Sequence, residues 1–323
     1  MPVISYREAL NEAMREEMQR DENIFILGED VGFYGGAFKV TEGLFAEFGE
    51  KRVVDTPIAE GLIVGAAVGA AMVGLRPIAE LMTVNFALLA MDQIVNHAAK
   101  IHYMFGGKAR VPLVIRGPGG GGKQLGAQHS QSLESYFVHC PGIKVVMPST
   151  PEDAKGLLKE SIRDDDPIVF LEHEHLYNTK GEVPPEEYTI PIGKAAIKRS
   201  GRDLTIVAYS NMVLTAQEAA EKLEKEGISV EIVDPRTLNP LDIHTIVASV
   251  KKTHRVIIVE EDWKTGGVGA EIGSQIYEHA FTALDAPIMR VAGKDTPMPY
   301  AKNLELAAIP QVKDIIQAAI NLL

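Results

Sequence analysis

Lys144-Val-Val-Met-Pro-Ser-Thr-Pro-Glu-Asp-Ala-Lys-Gly-Leu-Leu-Lys-Glu-Ser-Ile-Arg-Asp-Asp-Asp-Pro-Ile-Val-Phe-Leu171 reads as a strand, a helix and a second strand. The apolar run Lys144 to Met147 is the first strand. Thr150-Pro151-Glu152-Asp153 then supplies an N-cap, a proline at the first helical position and acids in the first turn. The helix is expected to run to about Arg163, and Ile168 to Leu171 forms the next strand. Toward the N-terminus, Ser5 and Glu8 make a capping box, and Tyr6, Leu10, Met14 and Met18 recur at helical spacing until about Asp21. Further strands are expected at Ile24 to Leu27, Ile78 to Met82 and Val111 to Ile115. Strands separated by helices imply a parallel sheet covered on both faces.

Lys180 to Thr189, with Gly181, Pro184, Pro185 and three glutamates, breaks this pattern and reads as a linker. A second series follows. Strands are expected at Leu204 to Tyr209, Val230 to Val233, Val256 to Glu260 and Ile288 to Val291, and helices near Val213 to Glu226, Asp242 to Lys251, Gly269 to Phe281 and Gln311 to Leu322. The reading is an α/β chain of two three-layer α/β/α domains with mainly parallel sheets, residues 1–185 and 191–323. A length of 323 residues suits two domains.

With 46% hydrophobic and 24% charged residues the composition is that of a soluble globular protein. The net charge is −12 and the basic residues are scattered, which argues against nucleic acid or an anionic membrane as partner. Met-Pro-Val-Ile-Ser-Tyr-Arg at the start resembles no signal or transit peptide, so the cytoplasm is expected. Cys140 is the only cysteine, which fits a reducing compartment. The apolar run Gly61 to Leu75 is shorter than the ~20 residues of a membrane span and reads as a buried helix.

Several motifs carry chemistry or imitate it. Gly117, Gly119 and Gly122 have dinucleotide-loop spacing after a strand, but no apolar helix opens at Lys123 and no acid ends a second strand ~20 residues on. A closely packed or flexible glycine loop is the expectation, and a nicotinamide enzyme the weaker rival. Glu172-His173-Glu174-His175 places two histidines on one strand face without a third ligand, so a polar strand end is expected rather than a metal site. Trp263-Lys-Thr-Gly-Gly-Val-Gly reads as a tight turn before a helix. Glu60 stands between Ile58 and Leu62 at the mouth of a small-residue helix, where an acid is costly unless partnered. It serves either a packed helix interface, made close by Gly61, Gly65 and Gly69, or proton transfer by a carboxyl of raised pKa. His129, in Gln128-His-Ser-Gln131, is expected at a helix start, as a cap or a functional group.

Gly28-Glu-Asp-Val31, Lys51-Arg-Val-Val-Asp-Thr-Pro-Ile-Ala-Glu60, Gly74-Leu-Arg-Pro-Ile-Ala-Glu80, Ala127-Gln-His-Ser-Gln131, Pro141-Gly-Ile-Lys-Val-Val146, Val268-Gly-Ala-Glu271 and Pro297-Met-Pro-Tyr-Ala301 occur in the order found in beta subunits of thiamine-diphosphate-dependent 2-oxo acid dehydrogenases, which the whole chain resembles. Leu133-Glu-Ser-Tyr-Phe137 and Leu176-Tyr-Asn178 look most like the pyruvate type, with branched-chain and acetoin enzymes as relatives. The resemblance implies a transketolase-like fold, with the pyrimidine of thiamine diphosphate held by the first domain. It also implies an α2β2 heterotetramer whose alpha subunit holds the diphosphate and magnesium; their Gly-Asp-Gly motif is missing here. By the same resemblance Glu60 meets the pyrimidine nitrogen, Phe86 and Ile58 pack on the cofactor, and Glu29 lies on a proton path. His129 stands near the thiazolium and the incoming lipoyl group. A structural potassium ion is implied at Leu113, Ser161, Ile162, Asp164 and Asp166, of which Ser161 and Asp166 depart from the commonest residues. Implied partners are the subunit-binding and lipoyl domains of a dihydrolipoyl acyltransferase core, and the substrate a 2-oxo acid. A non-catalytic assembly subunit of the same fold is the rival reading.

Overall fold

The Ser5 hydroxyl accepts from the Glu8 amide, and the Glu8 carboxylate accepts from the Ser5 amide at 2.7 Å, so both halves of the capping box form. The helix they start, Tyr6–Arg20, buries Tyr6, Leu10, Met14 and Met18 and packs along the helix Pro151–Arg163. Lys155 and Lys159 of the second helix are buried along their stems. Their ammonium groups reach Glu12 at 2.9 Å and Glu16 at 2.7 and 2.6 Å across the helix pair.

The computed structural model describes all of Met1–Leu323 and divides the chain into two units. The first consists of Met1–Gly119 and Tyr136–Ile192. Its strands are β1 (Val3–Ser5), β2 (Ile24–Gly28), β3 (Val53–Asp55), β4 (Arg76–Glu80), β5 (Val114–Gly119), β6 (Lys144–Val146), β7 (Ile168–His173) and β8 (Lys180–Glu182). Six of them run in the order β6-β7-β5-β4-β2-β3, every neighbouring pair parallel. β8 corrects the linker reading, because Lys180, Gly181 and Glu182 pair antiparallel with Ser5, Ile4 and Val3. β3 escaped the sequence reading because three residues are too few to show a period.

The second unit consists of Gly120–Ser135 and Gly193–Leu323. It contains β9 (Ala196–Arg199), β10 (Leu204–Ala208), β11 (Val230–Asp234), β12 (Thr237–Asn239), β13 (Val256–Trp263) and β14 (Met289–Gly293). Five of these form the sheet β14-β13-β10-β11-β9, parallel except for β9. Ile206, Ile232, Ile257 and Val259 of the sheet bury against Val213, Ala216 and Leu223 of the helix Met212–Lys225 and Ile315 and Ala319 of the helix Val312–Leu322. A single boundary near residue 190 is therefore incomplete: residues 120–135 leave the first unit and fold with the second. What holds them there is backbone N–H groups on carboxylates, which leaves no mark in hydrophobic periodicity.

No helix is long and apolar enough to cross a membrane. The run after Glu60 forms the helix Glu60–Met72, but only one face is buried, by Ile63, Val64, Ala67, Val68 and Ala71. Leu62, Met72 and Val73 are exposed on this unit, which corrects the expectation of a wholly buried helix.

Candidate active site

Gly28 pairs with Asp55 on one side and Glu80 on the other, so β2, β3 and β4 end level. Ligands of open α/β sheets bind beyond the carboxyl ends of the strands. The segments leaving these ends carry Glu29, then Ile58 and Glu60, then Phe86. A Cβ at Gly28 would lie 2.5 Å from the Glu80 carbonyl oxygen, so only glycine lets β2 and β4 end this close. The segment after β2 is shaped by its neighbours: Asp55 accepts from the Gly32 amide at 2.6 Å, and the Thr41 hydroxyl donates to the Val31 carbonyl at 2.8 Å.

Glu60 is the first residue of its helix, and the cap residue Ala59 offers no side-chain acceptor. Its carboxylate thus stands at the positive end of the helix dipole. Glu60 is 5% exposed and Glu29 6%. Glu29 Oε1 has no hydrogen-bond partner. Burial, and next the charge of Glu60, raises the Glu29 pKa above the ordinary carboxyl range. Phe86, partly exposed, lies in the 3-10 helix Val84–Ala90 that Thr83 caps, and Ile58 is 79% exposed. The glycine spacing divides between two roles. A Cβ at Gly61 would come within 3.4 Å of the Leu89 carbonyl and one at Gly65 within 3.3 Å of Gln93, so these two let residues 84–98 approach, whereas Gly69 meets nothing within 4 Å.

Beneath the strand ends lies a charged cluster that the sequence did not reveal. Arg116 of β5 is 1% exposed and grips Glu172 of β7 with two hydrogen bonds of 2.6 Å, while its third nitrogen bonds Glu80 of β4. The Tyr177 hydroxyl donates to the same Glu172 at 2.7 Å. Burial works against the guanidinium charge, but Glu172 and Glu80 outweigh it and hold the Arg116 pKa above its usual value. Burial, opposed by Arg116, raises that of Glu80. The cluster ties three neighbouring strands together directly below the Glu29 loop, where Glu80 Oε1 would be 3.2 Å from a Cβ at Gly36.

Glu172 is thus engaged, and no group of three metal-ligating side chains exists around His173 and His175, whose rings stack at 5.6 Å. The residues at which the resemblance implies potassium form another cluster. The Leu113 carbonyl accepts from the Ile168 amide at 2.8 Å, the Ile162 carbonyl from Arg76 at 2.9 Å, and the Asp164 carbonyl also from Arg76. Lys144 lies 2.6 Å from Asp164 and 3.0 Å from Asp166, so both carboxylates already face a cation. The Ser161 hydroxyl donates to the Leu157 carbonyl. Only second lone pairs on backbone carbonyls at this helix end suit a monovalent ion.

His129 belongs to the second unit. The expected helix start is wrong: the helix begins at Glu134, and His129 lies exposed in a turn where its amide donates to the Gly126 carbonyl at 3.2 Å. In the glycine loop before it, Gly121 donates to Glu261, and Gly122 and Gln124 to Glu305. The later motif is filled in the same way, since Gly269 donates to Glu260 at 2.6 Å. Both loops hold carboxylates of the chain itself, as a packed glycine loop and a tight turn before a helix would. No local motif marks Glu261 or Glu305, because their partners lie far away in sequence.

Comparison with known proteins gives a consistent result. The family model of the transketolase pyrimidine-binding domain matches residues 3–180, and that of the transketolase C-terminal domain residues 193–315. The chain is 52% identical over 319 residues to the pyruvate dehydrogenase E1 component subunit beta of Rhizobium meliloti, covering 98% of this chain and 69% of the relative. To that of Rickettsia felis it is 53% identical over 315 residues, covering 98% and 97%. To the mitochondrial subunit of Homo sapiens it is 52% identical over 320 residues, covering 98% and 89%. Among solved structures, a split-gene transketolase described as an inactive beta4 tetramer superposes with a TM-score of 0.80 at 25% identity, over 99% of this chain and 98% of that one.

Proposed function

We propose, from the premise that this chain belongs to the family of pyruvate dehydrogenase E1 component beta subunits, that it is the catalytic partner of an alpha subunit in oxidative decarboxylation of pyruvate. The observation that carries this reading is the buried pair Glu29 and Glu60 at the carboxyl ends of the parallel strands, one oxygen of Glu29 without a partner. Two desolvated acids side by side are expensive for a merely structural subunit and suited to proton transfer. That cost weighs against a non-catalytic assembly role.

The site fits thiamine diphosphate, since it combines buried acids with exposed or half-exposed apolar groups at Ile58 and Phe86. When bound, that cofactor supplies the electron sink for decarboxylation. Glu60 would hold a proton at the pyrimidine ring nitrogen, Phe86 and Ile58 would pack on the ring, and Glu29 would pass a proton toward Glu60. His129 would position or protonate the lipoyl group during acyl transfer. Magnesium and the diphosphate would be held by the alpha subunit, and potassium by carbonyls at Leu113, Ser161, Ile162, Asp164 and Asp166. The exposed Leu62, Leu88 and Leu89 near the site suit the alpha subunit's contact. We place the α2β2 assembly in the cytoplasm, docked on an acyltransferase core through the second unit; the buried free thiol of Cys140 is consistent with a reducing compartment.

The test is reconstitution. The purified chain alone is expected neither to bind thiamine diphosphate tightly nor to decarboxylate pyruvate, and to gain both on addition of the alpha subunit. Turnover by the chain alone, or none in the assembled tetramer with pyruvate, overturns the assignment; branched-chain 2-oxo acids and acetoin belong in the same substrate panel.

His129→Ala separates the two half-reactions. The assembled variant is expected to bind cofactor and keep a measurable fraction of decarboxylation with an artificial electron acceptor, while reductive acetylation of a lipoyl domain falls much further. Equal losses in one preparation would place His129 before the steps diverge; no loss would return it to a surface role.

A further inference from the structure

Residues 120–131 form a loop closed on itself, with the Gly120 amide donating to the Gln131 carbonyl at 3.1 Å. Within it Gly120, Gly122, Gln124 and Gly126 have φ of +82°, +97°, +58° and +79°. Left-handed residues recurring at this spacing turn successive amides inward and make a concave anion nest. The nest is filled by the chain's own carboxylates. Glu305, 1% exposed, accepts from Gly122 at 2.9 Å and from Gln124 at 3.0 and 3.2 Å, and Glu261 accepts from Gly121 at 2.5 Å. The floor is tight as well, since a Cβ at Gly121 would come within 2.9 Å of Met298 and 3.0 Å of Ile309. The far end is tethered where the Tyr209 hydroxyl donates to buried Glu134 at 3.2 Å. Between these anchors Lys123, Leu125, Gln128 and His129 point to solvent.

We propose that Glu305, assisted by Glu261, is a positioning residue for His129: it holds the amides of the glycine loop so that the imidazole is presented in one place. The proposal rests on the reading of His129 as the residue of acyl transfer. A buried carboxylate on three N–H contacts is a strong, directional anchor, and no water competes for it. Without it, two left-handed residues, Gly122 and Gln124, lose the acceptor that makes their conformation favourable. The loop then samples other shapes, and His129 samples them with it. Displacement of a reacting group by about 1 Å costs on the order of 10²-fold in rate.

Two measurements test this. In the full chain, Lys123 is the tryptic site of the loop; Glu305→Ala is expected to be cut after Lys123 at least ~10-fold faster than the parent, with cleavage elsewhere unchanged. In the reconstituted tetramer, Glu305→Ala is expected to lower transfer to a lipoyl domain at least ~10-fold more than decarboxylation with an artificial acceptor. Glu305→Gln, which keeps the shape and one acceptor oxygen, is expected to fall between parent and alanine variant in both assays. In a His129→Ala background Glu305→Ala is expected to cost transfer nothing further. Unchanged cleavage after Lys123 overturns the clamp, and a transfer loss of equal size in both backgrounds overturns its action through His129. If His129→Ala by itself leaves transfer intact, the proposal falls with that reading of His129, and the cleavage result distinguishes this from a clamp that never existed.

Discussion

Glu60→Gln in the assembled tetramer is expected to lose at least ~10²-fold in pyruvate decarboxylation, the scale of a lost general acid–base contribution. The amide keeps the size and nearly the shape of the carboxyl group, so the helix Glu60–Met72 retains its start. What it loses is the ability to hold and return a proton at the first helical position, beside a Glu29 already pushed toward its protonated form. Pre-steady-state decarboxylation, with assembly verified by sedimentation, is the measurement. Near-normal turnover in a correctly assembled variant would return Glu60 to the packed-helix role that its small-residue surroundings also allow.

Arg116→Met is expected to destabilise the chain by about 3–5 kcal/mol, as does removal of one partner from a buried ion cluster. Methionine fills most of the space, but it leaves Glu80 and Glu172 facing each other across β5 without a cation. Urea denaturation at several pH values checks both size and cause. With Arg116 gone, burial and the charge of Glu172 raise the Glu80 carboxyl pKa in the native state without opposition. The native state then binds more protons than the unfolded one, so stability falls as pH rises through and above the carboxyl range. The defect should therefore be larger at pH 8 than at pH 5. A loss below ~1 kcal/mol, or one independent of pH, would show that the cluster does not hold the strand ends in charge balance.

Much of the architecture lay open in the residues themselves. Caps at Ser5 and Thr150, the apolar strand runs and the turn residues after them act through neighbours a few positions apart, and such forces are written locally. Glu60 was legible for the same reason, because an acid at the mouth of an apolar helix is conspicuous within its own window. Its pairing with Glu29 was not legible: the resemblance put Glu29 on a proton path, and the folded chain is what brings the charge of Glu60 to bear on it. The rest was decided by packing between distant segments. Arg116 meets partners 36 and 56 residues away because strand register places Glu80 and Glu172 beside it. The glycine loop reads as closely packed, but nothing in it shows that Glu261 and Glu305, 140 and 183 residues from the amides they accept, are what pack into it. The sequence alone determined most of the strands and helices, though not β3, β8 or the start of the helix at Glu134, and that an acid waits at a helix mouth. Which carboxylates are free and which are spent inside the fold was left to tertiary structure, because a buried charge is stabilised by whatever partner the folded chain brings within about 3 Å, and no local pattern names that partner.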